Sequence, residues 1–268
     1  MKTPGKPRGL LRLRPPPGHV EHRRVAPPPE LAESIEHFWW VRWALESPFL
    51  TETLPHPSVH VVFERDADGS RARITGVHRG RWARELSGDG HAFGVKFRPA
   101  AFQPLFGAPM SRLAERVVEV ESFFGVAGQA LAATLANAST LEAHVAGVLP
   151  LLRERIEPLP GEALQVRDLV ERLAVDRSVL RVEDAANLLG HDVRGLQRQF
   201  RHWVGVAPKW VIQRYRLHEA AERLLLPSPP SLAALALDLG YVDQAHFSRD
   251  FAATVGRSPA RFARDNRV

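Results

Sequence analysis

The feature that most constrains the fold is a pattern that occurs twice near the C-terminal end of the chain. The stretch LLGHDVRGLQRQFRHWVGVAP at 188–208 and the stretch DLGYVDQAHFSRDFAATVGRSP at 238–259 align on their glycines. When the comparison begins at residues 182 and 232, eleven positions coincide at an offset of 50, or of 51 after one inserted residue, and eight of them are apolar or proline. A repeat of this kind, at helical spacing, predicts two copies of one helical unit.

Each copy predicts a helix, a tight turn and a second helix. Gly190 and Gly240 suit the left-handed conformation that ends a helix. Asp192 and Asp243 follow at the position where a side chain caps the next helix. The inward residues of that next helix are Leu196, Phe200 and Val204 in the first copy and Phe247, Phe251 and Val255 in the second. Two helices joined by such a turn form a helix-turn-helix.

The outward face of each second helix carries side chains that suit a nucleic acid. Arginine and glutamine have donors and acceptors that fit guanine and adenine edges in the major groove. A pair of helical hairpins with solvated polar faces is the alternative, but two copies with Arg198 and Arg249 at matching places favour duplex DNA. We expect base-edge contacts from Arg194, Gln197 and Arg198 in the first copy and from Gln244, Ser248 and Arg249 in the second.

Residues 177–268 resemble the DNA-binding region of the AraC/XylS family of transcription regulators. The stretch LQRQFRHWVGVAPKWVIQRYRLHEAAERLL resembles the first recognition helix of that family and its connecting helix. The stretch SLAALALDLGYVDQAHFSRDFAATVGRSPARFAR resembles the more diagnostic second unit. The resemblance implies two helix-turn-helix units bridged by one helix, with recognition helices that enter successive major grooves about 34 Å apart.

Four further positions complete the expected contact surface. Gly195 is expected to weaken the first recognition helix by about 1 kcal/mol relative to alanine and to leave one outward position without a base contact. Ala245 stands where the family commonly has serine, so it offers only a methyl group, which suits a thymine. Arg201 and Lys209 are expected to contact phosphate, which adds affinity without sequence information.

The N-terminal half has the signals of a β-rich domain. The stretches SVHVVFE, ARITGVHRG and HAFGVKFRP are bounded by glycine, proline or turn-forming residues, and they predict a small sheet or barrel. Helices are expected after it, including one long helix over 126–156. The predicted class is α+β, with a β-rich domain and trailing helices at 25–176 and an all-α domain at 177–268. The basic, proline-rich residues 1–24 are expected to be a disordered tail.

The stretches IEHFWWVRW, LPHPSVHVVFE and GVKFRPAAFQPLFG resemble an uncharacterised β-rich domain that often precedes AraC-type DNA-binding regions. This resemblance implies a role in sensing a small-molecule effector, in forming a homodimer, or in both, and it identifies no effector site. Trp39, Trp40 and Trp43 are expected to be core residues. His56 and His60 lie about 13 Å apart if the chain is extended, which is too far for one metal ion.

Charge is distributed unevenly along the chain, whose net charge is +6. Residues 1–24 carry +6, residues 25–176 carry −5, and residues 177–268 carry +5, so a polyanion is expected to meet the C-terminal part. The chain has no cysteine, which excludes a disulfide framework and a cysteine nucleophile and fits a cytoplasmic location. It has no apolar run long enough to span a membrane and no secretory signal pattern.

These observations predict a sequence-specific transcription regulator that binds double-stranded DNA, and RNA polymerase if it is an activator. No enzyme motif is present, so we expect no catalytic residues, no cofactor and no metal site. The alternative is an enzyme or a small-molecule-binding protein whose N-terminal domain carries the activity. A purely architectural DNA binder would need a uniformly basic surface or wedge residues, and the acidic middle region argues against it.

Overall fold

The computed structural model describes residues 9–12 and 17–266, and within them an antiparallel sheet precedes a set of helices. The strands are β1 Gly18–Val25, β2 Ile35–Thr53, β3 His60–Asp66, β4 Gly69–Thr75, β5 Trp82–Phe97 and β6 Val117–Glu119. They lie in the order β1-β2-β5-β3-β4-β6, and every pair is antiparallel. The predicted small sheet and the α+β class are therefore confirmed.

The two long strands β2 and β5 give the sheet its two apolar faces. Because side chains alternate along a strand, Phe38 and Trp40 join the main core on one face, while Trp43 lies in a separate apolar cluster on the other. Trp40 and Trp43 are buried, as expected of core residues. Trp39 packs flat on the backbone of Gly94, where a Cβ atom would lie 2.0 Å from the indole ring.

The prediction of a disordered tail is wrong for residues 18–24. They belong to β1, which pairs with β2 from Gly18 opposite Leu45 to Val25 opposite Phe38. The strand is hydrogen-bonded along one side only and half of its side chains are exposed. An edge strand needs backbone pairing rather than an apolar pattern, so its sequence gave no strand signal. Residues 1–8 and 13–16 of the predicted tail lie outside the described residues.

Four helices and two 3-10 turns follow or interrupt the sheet. The 3-10 turns are Pro29–Leu31 and Met110–Arg112, and the helices are α1 Gln103–Phe106, α2 Val120–Ala136, α3 Leu141–Arg155 and α4 Gly161–Leu173. The single long helix predicted over 126–156 is wrong, because α2 ends at Ala136 and α3 starts after Thr140. The Thr140 side chain accepts a hydrogen bond from the Ala143 amide at 3.1 Å and so caps a new helix.

The C-terminal part is all-α, as predicted. Its helices are α5 Val182–Leu188, α6 Val193–Trp203, α7 Pro208–Leu224, α8 Leu232–Asp238, α9 Gln244–Val255 and α10 Pro259–Asn266. None of the helices in the described part of the chain combines the length and the apolar character that crossing a bilayer requires.

The predicted domain boundary near residues 176–180 does not separate two cores. Helix α4 buries Ala163, Val166 and Leu169 in the same apolar cluster as Leu196 and Phe200 of α6. The amphipathic pattern of α4 predicted a helix but not which core would receive its apolar face. By packing, α4 therefore belongs with the C-terminal helices.

Candidate nucleic-acid interface

The first helix-turn-helix consists of α5, a four-residue turn and α6. Gly190 takes the left-handed conformation with φ 66°, and the His191 amide closes the turn by donating to the Ala186 carbonyl at 3.1 Å. Asp192 then accepts a hydrogen bond from the Gly195 amide at 2.6 Å. The predicted turn glycine and helix cap of the first copy are both confirmed.

The second helix-turn-helix, α8 with α9, repeats this geometry. Gly240 has φ 75°, and Asp243 accepts a hydrogen bond from the His246 amide at 2.6 Å. The second unit adds a contact of its own, because the Tyr241 hydroxyl donates to Asp250 at 2.8 Å and ties the turn to α9. The predicted correspondence between the two copies therefore extends to their backbone geometry.

Helix α7 connects the two units by taking part in both cores. Near its N-terminal end, Val211 and Ile212 pack in the cluster that contains α6. Near its C-terminal end, Leu217, Ala220 and Leu224 pack in the cluster that contains α9. The small alanine allows the second unit to approach closely. One continuous helix therefore joins the two units.

The predicted contact residues lie on the surface of α6 and α9 and at the start of α7. Ser248 is half-buried, and the other eight are exposed: Arg194, Gln197, Arg198, Arg201, Lys209, Gln244, Ala245 and Arg249. The inward residues predicted for the same helices, including Phe200 and Phe251, are fully buried. Helices α6 and α9 therefore each have one exposed polar face and one buried apolar face, as their sequences predicted.

The cations of this surface have no partner among the residues that the structure describes. Within residues 9–12 and 17–266, no hydrogen bond or ion pair occupies the side chains of Arg194, Arg198, Arg201, Lys209 and Arg249. Exposed cations without an acidic partner attract phosphate and remain available to base edges. The arrangement suits a polyanionic ligand.

Other arginines of the same region have internal partners. Arg214 of α7 is buried, donates to the Arg79 carbonyl and lies 4.5 Å above the ring of Trp210. Burial lowers the pKa of Arg214 to about 10. Arg223 is bound by Glu219 and Asp238. These residues support the fold, and Trp210 of α7 packs against the cluster that contains α6.

One expectation about the first recognition helix is wrong. Gly195 was expected on the outward face, but it is buried in the first turn of α6. An added Cβ atom would lie 2.9 Å from the Asp192 carboxylate that caps the helix. The glycine therefore makes room for the cap, and it takes no contact position from the exposed face.

Trp203 and His60 have structural roles. Trp203 is buried in the core of the first unit. His60 accepts a hydrogen bond from the Trp39 indole at 3.1 Å, so this histidine is engaged within the sheet. In the described part of the chain, no three His, Asp or Glu side chains are grouped to hold a metal ion.

A cleft of about 280 Å³ lies between the sheet and helices α2 and α3. Its wall includes apolar Phe63 and Leu135 beside the imidazoles of His91 and His144. Burial and the neighbouring His144 lower the pKa of His91 to about 4, and burial also lowers the pKa of His144. Both imidazoles are therefore neutral at pH 7, and they add hydrogen-bonding groups to the apolar part of the cleft wall. Sequence patterns did not indicate this cleft, because its residues come from distant elements.

Two family models match separate parts of the chain. Residues 185–265 match the family described as helix-turn-helix domain, and residues 23–119 match a domain of unknown function, DUF6597. No protein of curated function matches the chain.

Similarity to solved structures covers the C-terminal part or most of the chain. An AraC-type regulator from Chromobacterium violaceum is 23% identical over 39% of this chain and 93% of its own, with a TM-score of 0.35. The C-terminal domain of AraT from Geobacillus stearothermophilus is 25% identical over 42% and 91%, with a TM-score of 0.37. ToxT from Vibrio cholerae is 10% identical over 93% and 98%, with a TM-score of 0.42.

The helix-turn-helix domain matched over residues 185–265 supports a DNA-binding transcription regulator of two parts. Its C-terminal part is a double helix-turn-helix of the AraC type, as the sequence resemblance predicted. Its sheet belongs to the domain of unknown function matched over residues 23–119.

Proposed function

We propose that α6 and α9 are the recognition helices of a sequence-specific regulator and that they enter successive major grooves of one duplex. The exposed cations of α6, of α9 and of the start of α7, which have no partner within residues 9–12 and 17–266, carry the proposal. Base edges are contacted by Arg194, Gln197 and Arg198 from α6 and by Gln244, Ala245, Ser248 and Arg249 from α9. Arg201 and Lys209 contact phosphate, because they lie nearer the C-terminal end of α6 and at the start of α7.

Selection of bound sequences from a random duplex pool tests this function. We expect two enriched sequence blocks, separated by about one helical turn of DNA. The selection is repeated at several salt concentrations, because phosphate contacts make affinity strongly dependent on salt. If no sequence is enriched at any of them, the chain is not a sequence-specific DNA-binding protein.

We further propose that the sheet domain, which consists of the six strands with α1, α2 and α3, binds a small-molecule effector in the cleft between the sheet and helices α2 and α3. The cleft is lined by apolar side chains, by neutral imidazoles and by the charged side chains of Glu64, Arg65, Arg71 and Glu121. It therefore suits a ligand that has both apolar and polar groups. A thermal-shift screen of the full chain tests this, with His144→Phe as the variant that fills the cleft. Ligands that stabilise both forms equally would exclude this cleft as the effector site.

The regulator acts in the cytoplasm, where it reaches DNA, and it contacts RNA polymerase if it activates transcription. The sheet domain has the further role of forming a homodimer. The proposal gives the chain the role of a regulator and not of an enzyme. Sedimentation of the free and DNA-bound chain distinguishes a dimer from a monomer, and a monomer in both states would exclude the homodimer.

A further inference from the structure

A buried carboxylate lies where the sheet meets the second helix-turn-helix unit. Glu52, near the end of β2, has a side chain that is only 1% exposed. Two residues further on, Leu54 is buried in the apolar cluster of α9 and α10 rather than in a core of the sheet. The end of β2 is therefore shared between the two parts of the protein.

Three arginines from three separate segments converge on Glu52. Arg12 donates through Nε at 2.7 Å and Arg81, just before β5, donates through Nη1 at 2.5 Å. Arg257 donates through Nη2 at 2.9 Å, and it lies in the turn between α9 and α10. Only Arg257 belongs to the DNA-binding part, so Glu52 joins that part to the sheet.

The same arginines also hold the backbone at the end of α9. Arg81 donates to the Val255 carbonyl at 3.5 Å, at the last residue of the recognition helix. Arg257 donates to the Leu11 carbonyl at 2.8 Å, and Leu11 is itself buried in the core of the second unit. The C-terminal end of α9 is thus fixed to the sheet by charged hydrogen bonds on two sides.

Glu52 remains ionised in this environment. Burial raises the pKa of its carboxyl, but the hydrogen bond from Arg12 and the charges of Arg257 and Arg81 lower it further, so the pKa lies below its ordinary value. A buried charged cluster contributes little net stability, because desolvation offsets the attraction between the charges. Its directional hydrogen bonds instead define a geometry.

The first unit contacts the sheet domain independently of Glu52. Gly205, just after α6, packs on the Met110 carbonyl so closely that an added Cβ atom would lie 2.7 Å from it. Ala100 and Ala101 after β5 join the apolar cluster of α6. Loosening the cluster at Glu52 would therefore release α9 while α6 stays in place.

We infer that Glu52 is a positioning residue that sets the distance and angle between the two recognition helices, and so the spacing of DNA blocks that the protein accepts. This rests on the proposed function. A protein with two helix-turn-helix units distinguishes the spacing between two DNA blocks only if the units are held rigidly relative to each other. Each added base pair shifts and rotates the second block along the duplex. Arg257 transmits the position of Glu52 to α9.

Glu52→Gln in the full chain tests this role. Affinity is measured for duplexes that carry both selected blocks at the best spacing, and for duplexes in which that spacing is one or two base pairs longer or shorter. Wild-type protein should prefer one spacing, and the variant should lose about tenfold of that preference. Affinity for a duplex with the first block alone should stay unchanged. Glu64→Gln is the matched control, since Glu64 is also nearly buried and bound by arginines, but those lie within the sheet.

Arg81→Gln is the second variant, because Arg81 is more exposed than Glu52 and its loss should leave the chain folded. It should relax the spacing preference in the same direction. If wild-type protein binds both blocks with a spacing preference that both variants retain, Glu52 has no positioning role. If wild-type protein binds no selected block, the proposed function itself is wrong.

Discussion

The imidazole rings of His56 and His218 stack with centroids 4.1 Å apart and planes inclined by 22°. His56 follows β2, whereas His218 lies on α7, so the stack joins the sheet to the connecting helix of the DNA-binding part. Burial, together with the nearby charges of Lys96 and His218, lowers the pKa of His56 well below its ordinary value. Two stacked imidazoles repel each other when both are protonated. Acid should therefore weaken this contact between the sheet and α7.

Stability should fall as the pH is lowered below about 6.5. Burial, and then the charge of Lys96, lower the pKa of His60 to about 3 in the folded chain. Between pH 6.5 and 3 this histidine is therefore protonated in the unfolded chain but neutral in the folded chain, and protonation favours unfolding. Each such histidine costs about 1.4 kcal/mol per pH unit between the two pKa values. Urea unfolding at pH 7.5, 6.5 and 5.5 should show a shallower loss for His60→Gln than for wild-type protein. Parallel losses would exclude His60 as a contributor.

The turn glycines should be required for their backbone conformation. Gly190→Ala places its methyl group in open space, so its expected cost of about 1–2 kcal/mol reflects the left-handed conformation alone. Gly240→Ala should cost more, because the new Cβ atom would also lie 3.1 Å from Leu180. Gly161→Ala, in open space without a positive φ, is the control and should not destabilise. Urea unfolding measures all three, and equal stabilities would contradict the assignment.

The base-contacting arginines should carry specificity. Arg198→Ala and Arg249→Ala should each cost about 1–3 kcal/mol on the selected site and relax the preference at a few base pairs. Competition binding with selected and random duplexes measures the difference. Arg153→Ala removes an exposed arginine of the sheet domain that is paired with Glu30, and it should leave both affinities unchanged. Unaltered specificity in both α6 and α9 variants would refute direct readout by these residues.

Local signals predicted the repeated unit well because its geometry is encoded locally. A glycine that ends one helix and an aspartate that caps the next lie three residues apart or fewer, and their spacing fixes the turn. Gly190 with Asp192 and Gly240 with Asp243 therefore took their predicted conformations. The inward apolar positions followed from the helical period alone.

Contacts between distant segments could not be predicted in the same way. Nothing local distinguishes Arg257, which is bound to Glu52 about two hundred residues away, from Arg249, which is exposed. The edge strand β1 was missed because pairing with β2, not its own pattern, makes it a strand. Whether a basic side chain is exposed or bound to an internal partner depends on tertiary contacts, so the sequence alone does not identify Arg257 as a partner of Glu52.

The phosphate-contacting residues should differ from the base-contacting ones in their salt dependence. Arg201→Ala and Lys209→Ala should weaken binding to selected and random duplexes by similar factors, because phosphate carries no sequence information. Each should also reduce the slope of log affinity against log salt concentration by about 0.9, since one fewer counterion is released. Titrations at roughly 50–200 mM salt give both the affinities and the slopes. Gln197→Ala is the uncharged control. A loss confined to the selected duplex would instead assign Arg201 or Lys209 to a base edge.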